Sequence, residues 1–586
     1  MSAEKLITDH IDIWTSAVQA KSSSGRGSGK KRELYGIKKL RELILELAVR
    51  GKLVSQNPSD EPASVLLERI AAEKAQLVRD KIIRKPKKLD VLTDNELFFA
   101  APSGWSFARL GDLAVKLTDG SHNPARDFGS GYPMFSSQNV HFRTIDFSSP
   151  SRYVDEDNFL KEDSRTQIVP GDILLTIVGT IGRAAVVPID APKFVLQRSV
   201  AVIKTSLIPE FLVYYLASPS CISYFEANGK GTAQKGIYLG KLAEMPIVVP
   251  SLEEQHRIVA KVDELMALCD QLEQQTESSL DAHQVLVETL LATLTNSQDA
   301  TELMANWARI SEHFDTLFTT EQSIDQLKQT ILQLAVMGKL VPQDPKDEPA
   351  AKLLERIAEE KAQLVKDKKI KKQKALPPIA DDEKPFELPN GWEWERIGTF
   401  GVVGTGATPS RSNPKYWDSP DHNWVSSGET ANLFVGQTKE KVSELAIKET
   451  NVSVYPVGTL IVAMYGQGKT RGQITELSEP AGTNQACAAI SLIEPNTAHK
   501  DFVKLYFRKS YEELRSNAAG GAQPNLNVGK VQNTVIAVPP LEEQHRINVM
   551  VYSLLGLCES LKCNLTKAKA TQLHLTDAIV EQCNPM

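Results

Sequence analysis

The chain has 586 residues, of which 41% are hydrophobic and 24% are charged, and its formal net charge at pH 7 is −6. This length predicts about four domains, and the apolar content is enough for buried cores, which excludes a chain that is disordered throughout. The negative balance does not favour nucleic acid as a partner of the chain as a whole. The sequence shows no signal peptide, no apolar run of the ~18 residues that a membrane span requires, and no cysteine spacing typical of zinc sites. We therefore expect a cytoplasmic protein with reduced cysteines.

Residues 1–101 predict a helical region interrupted by a flexible linker. Residues 4–20 carry apolar side chains at helical spacing, and a Gly/Ser-rich linker follows at residues 21–31. A second helix is expected to end at Gly51, since glycine readily adopts the left-handed conformation found at helix C-termini. Asp60 is expected to cap a third helix, which runs into a basic segment.

The sequence contains a long internal repeat. Residues 44–81 recur at residues 331–368 with 29 of 38 positions identical, and the heptapeptide LEEQHRI occurs at residues 252–258 and 541–547. A repeat this distant indicates duplication of a whole domain with its helical connector. Each copy of the connector ends in a basic run, which we interpret as a solvated helix end. Because the connector before the first domain has no counterpart after the second, the two chain ends are expected to meet and close a pseudo-two-fold arrangement.

Residues 102–250 and 389–540 predict two mixed α/β domains. Short β-branched runs alternate with Gly, Asn, Asp and Pro, which is typical of strands separated by polar loops. Each segment holds 14 basic and 14 acidic residues, so both are electrically neutral and the negative charge lies in the helical remainder. Loops on such a scaffold are where binding residues usually lie.

Residues 251–388 and 541–586 predict helical regions that each begin with one very long helix. Ser251 and Glu254 fit a capping box, and no Gly or Pro occurs from residue 252 to residue 295, so one helix of roughly 65 Å is expected. Its apolar stripe needs a partner, and the C-terminal copy laid antiparallel is the expected one. The predicted fold class is therefore α+β: two mixed α/β domains separated by long, coiled-coil-like antiparallel helices.

No catalytic motif emerges from the sequence. Residues 463–470 match a relaxed phosphate-loop pattern, but the residues that follow predict another strand instead of the helix that would face a phosphate. A Gly-rich hairpin turn is the favoured interpretation. The repeated histidines lie at helical positions and are interpreted as structural; they are His10, His256, His313 and His545. With no metal cluster and no nucleophile–base set, the chain is predicted not to be an enzyme by itself.

The polar loops of the two α/β domains carry residue types that read base edges in DNA. Arginine and lysine suit guanine, asparagine and glutamine suit adenine, glutamate accepts from cytosine, and serine and threonine serve several bases. Polar loops are most often merely solvated, but these loops diverge between the copies while their frames are duplicated, which favours a binding role. The candidate DNA-binding residues of the first domain are Thr118, Asp119, Ser121, His122, Gln138, Asn139, Thr180, Arg183, Arg198, Gln234 and Lys235. Those of the second domain are Thr408, Ser410, Arg411, Ser427, Glu429, Gln467, Lys469, Arg471, Gln523 and Asn525.

Together these motifs resemble the specificity subunits of type I restriction–modification enzymes. Each motif alone is weak, whereas the combination spans essentially the whole chain and is specific. The resemblance rests on the paired LEEQHRI helices, the DEPA connectors, the domain openings at residues 118–122 and 406–410, GTIG at 179–182, GTAQKG at 231–236 and GGAQPNLN at 520–527.

This resemblance implies two target recognition domains, at residues 102–250 and 389–540, held apart by conserved antiparallel helices. Each domain would read one half of a split, asymmetric double-stranded DNA site. The helices would also dock two modification subunits, which bind S-adenosylmethionine and methylate adenine. Two restriction subunits would supply translocation and cleavage driven by ATP and Mg. No cofactor is expected to bind this chain itself.

Two other interpretations remain open at this point. A stand-alone DNA methyltransferase or nuclease is disfavoured because cofactor and carboxylate motifs are missing. A coiled-coil scaffold without DNA readout is disfavoured by the diverging polar loops. Because both recognition domains are neutral, few counterions would be released on binding, and the isolated chain is expected to bind DNA weakly.

Overall fold

The chain forms two units in the computed structural model, which describes residues 5, 8–21, 31–231, 235–418, 421–465, 470–516 and 526–583. One unit comprises Met1–Ser279 together with Lys569–Met586, and the other comprises Leu280–Ala568. Each unit contains one mixed α/β domain, the start of one long helix and the end of the other. The α+β fold class predicted from the sequence is confirmed.

The helices follow the duplicated sequence. Those that begin in the first unit are α1 (Ile11–Ser16), α2 (Tyr35–Val49), α3 (Ala63–Arg79), α4 (Leu110–Leu113), α5 (Glu156–Thr166), α6 (Pro209–Leu216), α7 (Pro219–Asn228), α8 (Leu239–Ala243) and α9 (Leu252–Asn296). Those that begin in the second unit are α10 (Ala300–Glu312), α11 (Phe314–Leu317), α12 (Glu321–Val336), α13 (Ala350–Lys366), α14 (Ile397–Phe400), α15 (Glu444–Glu449), α16 (Thr497–Ser516), α17 (Val528–Asn533) and α18 (Leu541–Cys583).

The α/β domain of the first unit contains two main sheets. The strands of this unit are β1 (Gln19–Lys21), β2 (Lys31–Glu33), β3 (Ser106–Arg109), β4 (Ala114–Asp119), β5 (Tyr132–Phe135), β6 (Arg152–Val154), β7 (Ile173–Thr176), β8 (Ala184–Val186), β9 (Val195–Leu196), β10 (Val200–Thr205) and β11 (Pro246–Val249). Antiparallel pairing gives the order β4-β10-β7-β8, with Ala201 opposite Asp119. The second sheet has the order β6-β5-β9, and β11 pairs with β3. Phe135 and Leu174 belong to one buried core that both sheets share.

The α/β domain of the second unit repeats this plan with one more strand in its main sheet. Its strands are β12 (Glu393–Arg396), β13 (Gly401–Thr405), β14 (His422–Val425), β15 (Phe434–Val435), β16 (Glu440–Val442), β17 (Leu460–Ala463), β18 (Ile474–Leu477), β19 (Ala481–Thr483), β20 (Cys487–Leu492) and β21 (Val535–Val538). The sheets have the orders β13-β20-β17-β18-β15, β16-β14-β19 and β12-β21. Because β17 and β18 pair antiparallel, with Ile461 opposite Thr475, the prediction of a strand in place of a phosphate-binding helix is confirmed.

Both long helices form as predicted, with 45 residues in α9 and 43 in α18. In the second unit, Val287 of α9 shares a buried core with Ile547 and Leu555 of α18, as expected for antiparallel neighbours. In the first unit, the Tyr35 hydroxyl donates to Asp577 Oδ1 at 2.6 Å. The end of the last helix thus lies beside the N-terminal region, as the duplication predicted. Within the described ranges, no helix combines the length and apolarity that crossing a membrane requires.

Three repeated motifs meet at one junction in the first unit: the tryptophan that opens the α/β domain, the aspartate of DEPA and the first turn of the LEEQHRI helix. Trp105 Nε1 donates to Glu254 Oε2 at 2.8 Å, and both side chains are buried. Arg257 Nη2 donates to Asp60 Oδ2 at 2.6 Å. The junction therefore ties the domain, the connector and the long helix to one another.

The second unit contains the same junction. Trp392 Nε1 donates to Glu543 Oε2 at 3.0 Å, and Arg546 Nη2 donates to Asp347 Oδ2 at 2.6 Å. The identity of these motifs between the two copies is thus explained by contacts inside each unit.

Two predicted helix caps are partly or wholly wrong, and the junction is the reason. The Ser251 hydroxyl accepts from the Glu254 backbone N–H at 3.1 Å as expected, but the Glu254 carboxylate does not return to its own helix end. Its Oε2 accepts from Trp105 instead, and its Oε1 has no hydrogen-bond partner among the described residues. Asp60 does not cap α3, whose cap position is held by a proline. The Asp60 carboxylate instead accepts from Arg257 and from the Ser251 hydroxyl.

One ion-pair position between the short connector helices and the long helices differs in sign between the units, whereas the neighbouring pair, Arg41–Asp270 in the first unit and Lys328–Glu559 in the second, keeps its sign. In the second unit, Lys562 of α18 pairs with Asp325 of α12 at 2.9 Å. The repeat aligns these positions with Glu273 and Lys38, and in the first unit Glu273 pairs with Arg41 at 2.6 Å. Docking α2 on the wrong long helix would bring Lys38 against Lys562, and docking α12 wrongly would bring Asp325 against Glu273. Such like-charge contacts disfavour the exchanged pairing.

The buried carboxylate of the second junction predicts a pH-dependent stability. Burial raises the pKa of Glu543 from 4.5 to about 7 in the folded chain. Because the folded state then holds a proton that the unfolded state has lost, this group stabilises the fold fully below about pH 4.5, and the contribution is lost as the pH rises to about 7. Glu543→Gln should remove this dependence and raise the melting temperature at pH 8. The exposed neighbour provides the control, since Glu542→Gln should leave the profile unchanged; equal profiles for both variants would contradict the assignment.

Candidate nucleic-acid interface

Loops that are far apart in sequence meet at one end of the first α/β domain. Backbone hydrogen bonds join them: Gly179 N–H to the Lys235 carbonyl at 2.9 Å, Ile177 N–H to the Ser199 carbonyl at 2.9 Å, and Arg198 N–H to the Ser121 carbonyl at 2.9 Å. We call this set the first rim; it comprises residues 119–123, 136–139, 178–183, 197–199, 230–231 and 235–236. It lies at the end of β4 that is remote from α4, since β4 runs from α4 to Asp119.

Glycine makes the close approach of two rim loops possible. A Cβ atom on Gly120 would lie 2.1 Å from the carbonyl oxygen of Leu196. At the aligned position of the second domain, a Cβ atom on Gly406 would lie 1.7 Å from the carbonyl oxygen of Thr483. Non-bonded atoms cannot approach so closely, so both loops require a residue without a side chain.

The first rim collects basic side chains that have no side-chain partner within the described part of the chain. They are Arg183, Arg198, Lys230 and Lys235. Most other basic residues of the domain are bound to carboxylates or to carbonyl and amide oxygens. An electrically neutral domain therefore presents a positive rim. Sequence reasoning missed Lys230, because a charge count over the whole domain does not show where the unpaired charges lie.

Several of the predicted residues hold the first rim together. Asp119 is 6% exposed and accepts hydrogen bonds from Arg165 and, at 2.9 Å, from His122 Nε2. Ser121 donates to a glutamate carboxylate at 2.7 Å. Asn139 is buried, and its amide group bonds to one backbone N–H and two carbonyl groups. These contacts organise the loops that carry the exposed residues.

Other predicted residues of the first domain face solvent. Gln138 and Thr180 are exposed at the first rim, and Thr118 is half-buried on β4. Gln234 lies outside the described residues. Gln138 and Thr180 thus add an amide and a hydroxyl to the four basic side chains of this rim.

A second rim lies at the corresponding end of the second domain. The Asn484 backbone N–H donates to the Val425 carbonyl at 3.1 Å, and the Thr408 hydroxyl donates to Gln485 Oε1. We call this set the second rim; it comprises residues 405–413, 425–430, 464–465, 470–473 and 484–486.

Arg411 of the second rim is held by two neighbouring side chains. Its guanidinium group lies 3.9 Å from the centre of the Trp417 ring and makes two hydrogen bonds to the Glu440 carboxylate, at 2.5 and 2.8 Å. This pairing lowers the pKa of Glu440. Glu429 is 6% exposed, and its two carboxylate oxygens accept from backbone N–H groups.

The remaining predicted residues of the second domain fall into two groups. Ser410 is exposed and contacts the Ser412 hydroxyl at 2.8 Å, and Ser427 and Arg471 are half-buried. Four residues lie outside the described ranges: Gln467, Lys469, Gln523 and Asn525.

Both rims carry groups that are suited to binding a ligand. They present hydrogen-bond donors and acceptors together with positive charge, which is what phosphate groups and base edges require. Among the described residues, no group of three or more His, Cys, Asp or Glu side chains is placed to hold a metal ion.

The glycine contact predicts a local destabilisation. Gly120→Ala should lower the free energy of unfolding by about 1–3 kcal/mol, because the added methyl group meets backbone that must move. Gly240→Ala in the same domain is the control, since a Cβ atom there meets nothing within 4 Å. Urea unfolding of both variants measures the difference, and equal stability would show that the loops can separate without cost.

Comparison with known proteins gives the same assignment along the chain. The family model described as "Type I restriction modification DNA specificity domain" matches residues 102–282 and 389–561. The chain is 41% identical to the type I restriction enzyme EcoAI specificity subunit of Escherichia coli over 628 aligned residues, with 99% of each chain covered. It is also 41% identical to the EcoEI specificity subunit of the same species over 609 residues, again with 99% of each covered.

A solved structure also matches the chain, at lower similarity. The HsdS subunit from Thermoanaerobacter tengcongensis is 18% identical, with a TM-score of 0.39, and the match covers 83% of this chain and 98% of that one. The full-length similarity to curated relatives sets aside the alternatives of a stand-alone methyltransferase or nuclease and of a scaffold without a role in DNA specificity. The chain belongs to the type I restriction–modification specificity subunits: it is the DNA specificity subunit of a type I restriction enzyme and is itself non-catalytic.

Proposed function

We propose that residues 102–250 and 389–540 are two target recognition domains, and that each reads one half of a bipartite, asymmetric DNA site through its rim. The observation that carries this proposal is the first rim, where loops distant in sequence converge and basic side chains without partners collect. The frames of the two domains are duplicated while their rim residues differ. Two domains that share a fold but differ in their rim residues are suited to read two different half-sites.

The exposed and half-buried rim side chains match the hydrogen-bonding patterns of base edges. Arg183 and Arg198 can each donate two hydrogen bonds to guanine, and Gln138 can pair with adenine. In the second domain, Trp417 and Glu440 hold the Arg411 guanidinium group in place. The other predicted rim residues would support these readers or contact phosphates, which position a protein on DNA without specifying sequence.

In this proposal the helical regions, at residues 1–101, 251–388 and 541–586, set the spacing between the half-sites. A helix of 45 residues extends about 68 Å at 1.5 Å per residue, so it can act as a stiff spacer. Half-sites read from one face of DNA lie about one helical turn apart, or multiples of it. The target is therefore expected to have a fixed gap.

We also propose that the helical regions dock two identical modification subunits. Support comes from residues that are identical between the copies, exposed, and not used inside their unit. His256 and His545 are such a pair: both are exposed, although the sequence favoured a structural role for them. Two restriction subunits complete the proposed assembly, which uses S-adenosylmethionine, ATP and Mg on those partners. No cofactor is assigned to this chain.

A single rim residue tests the proposal. Arg198→Gln in the assembled modification enzyme should relax discrimination at one position of one half-site by about 1–3 kcal/mol, which is about 5- to 150-fold, because a bidentate contact to guanine is lost. Methylation rates on a panel of duplexes with single base changes measure this directly. Specificity for the other half-site should be unchanged.

Lys161→Gln provides a matched control. Lys161 is an exposed basic residue of the same domain without a side-chain partner in the described ranges, and it lies on α5, outside the first rim, although its neighbour Glu162 accepts a hydrogen bond from Ser121 of the rim. It should leave discrimination unchanged. If Arg198→Gln and Lys161→Gln behave alike on every duplex, this side chain does not read a base.

A further inference from the structure

Each unit carries a dense basic segment that base recognition does not use. We call residues 79–88 and 366–375 the cationic straps. Each contains six basic residues and one acidic residue, for a net charge of +5, in a chain whose total is −6. The basic side chains are exposed. Within the described residues, Arg79 donates to the Gln76 amide oxygen, and no acidic partner holds any basic side chain of either strap.

Both straps are held in place at their two ends. At the start, Lys81 and Lys368 adopt left-handed conformations, with φ of 56° and 57°, that turn the chain away from α3 and α13. At the far end of the first strap, Arg109 Nε donates to the Asp90 carbonyl at 2.6 Å. At the far end of the second, Arg396 Nε donates to the Pro377 carbonyl at 2.9 Å. The charges are therefore presented on an anchored backbone.

Between the copies the straps preserve charge but not sequence. In residues 44–81 and 331–368, 29 of 38 positions are identical, whereas in the next nine residues, 82–90 and 369–377, only four are. The net charge of each strap is nevertheless the same. A surface that docks the same protein twice would need the same side chains twice. A phosphate backbone requires only positive charge, in any order.

We propose that each cationic strap binds the phosphate backbone of double-stranded DNA without regard to sequence. The straps end beside α4 and α14, which precede β4 and β13, whereas the rims lie at the other ends of those strands. Six residues of β4 separate the two places by about 20 Å. The straps therefore hold DNA outside the bases that the rims contact. This role goes beyond base recognition and does not depend on which rim residues read bases.

The physical reason for such a surface is the neutrality of the recognition domains. Sequence-independent affinity comes from counterions released when basic groups meet phosphates, and the logarithm of the binding constant falls with the logarithm of salt concentration by about 0.9 for each contact on duplex DNA. The straps give the isolated chain a salt-sensitive affinity for any duplex, added to weak site-specific binding.

The test uses the full chain and a labelled 60-base-pair duplex of arbitrary sequence, titrated from about 50 to 300 mM KCl. The variant that changes Arg84, Lys85, Lys87 and Lys88 to Gln should reduce the salt slope by up to about 3.6. The matched second-strap variant, with Lys369, Lys371, Lys372 and Lys374 changed to Gln, should do the same. Changing the same four lysines to Arg should preserve the slope, because the charge is retained.

The outcomes separate this proposal from the one on base reading. Strap variants should weaken cognate and non-cognate duplexes by the same factor, whereas Arg198→Gln should alter the ratio between them. Thermal melting checks that the variants fold. An unchanged salt slope in both Gln variants overturns the proposal. So does an unchanged slope combined with loss of co-purifying modification subunit, which would make the straps a protein-docking surface.

Discussion

The buried bond between a tryptophan and a carboxylate at the start of each long helix is the contact on which both units depend. Trp105 donates to Glu254, and in the same turn of helix Arg257 holds Asp60. Burying a carboxylate costs free energy unless the carboxylate is hydrogen-bonded. The bond from Trp105 can form only when the domain lies in one position on the helix, so this position is favoured. In the proposed function, a recognition domain keeps its rim at a fixed position along DNA only if it is attached to the helix in one way. In this account, DNA specificity depends also on the junction, which does not itself read bases.

The junction gives a different reason for the identity of the repeated sequences. A stretch that is nearly identical in both copies suggests a surface for two identical partners, yet much of the identity is used inside each unit. Asp60 binds the long helix, and Lys74 donates to the Gly111 carbonyl at 2.5 Å. What remains identical and exposed is smaller, and it includes His256 and His545. The frame is conserved between copies first because each α/β domain has to be held in the same way.

Local signals in the sequence predicted the elements well, and contacts between distant segments could not be predicted. The long helix was expected to run from residue 252 to residue 295, and it ends at Asn296. The partner of Glu254 lies 149 residues earlier, so the capping-box pattern could not reveal it. The same holds for the first rim: the residue types of its loops could be recognised in the sequence. Its positive charge was hidden, because acidic residues elsewhere in residues 102–250 balance the count.

The central claim is that one frame carries two independent readers. Exchanging residues 102–250 for the matching segment of a relative with another target, and mapping methylated sites across a genome, tests it most directly. The account predicts that one half of the recognised sequence changes, while the other half and the gap between them stay the same. A change in both halves, or in neither, would contradict it.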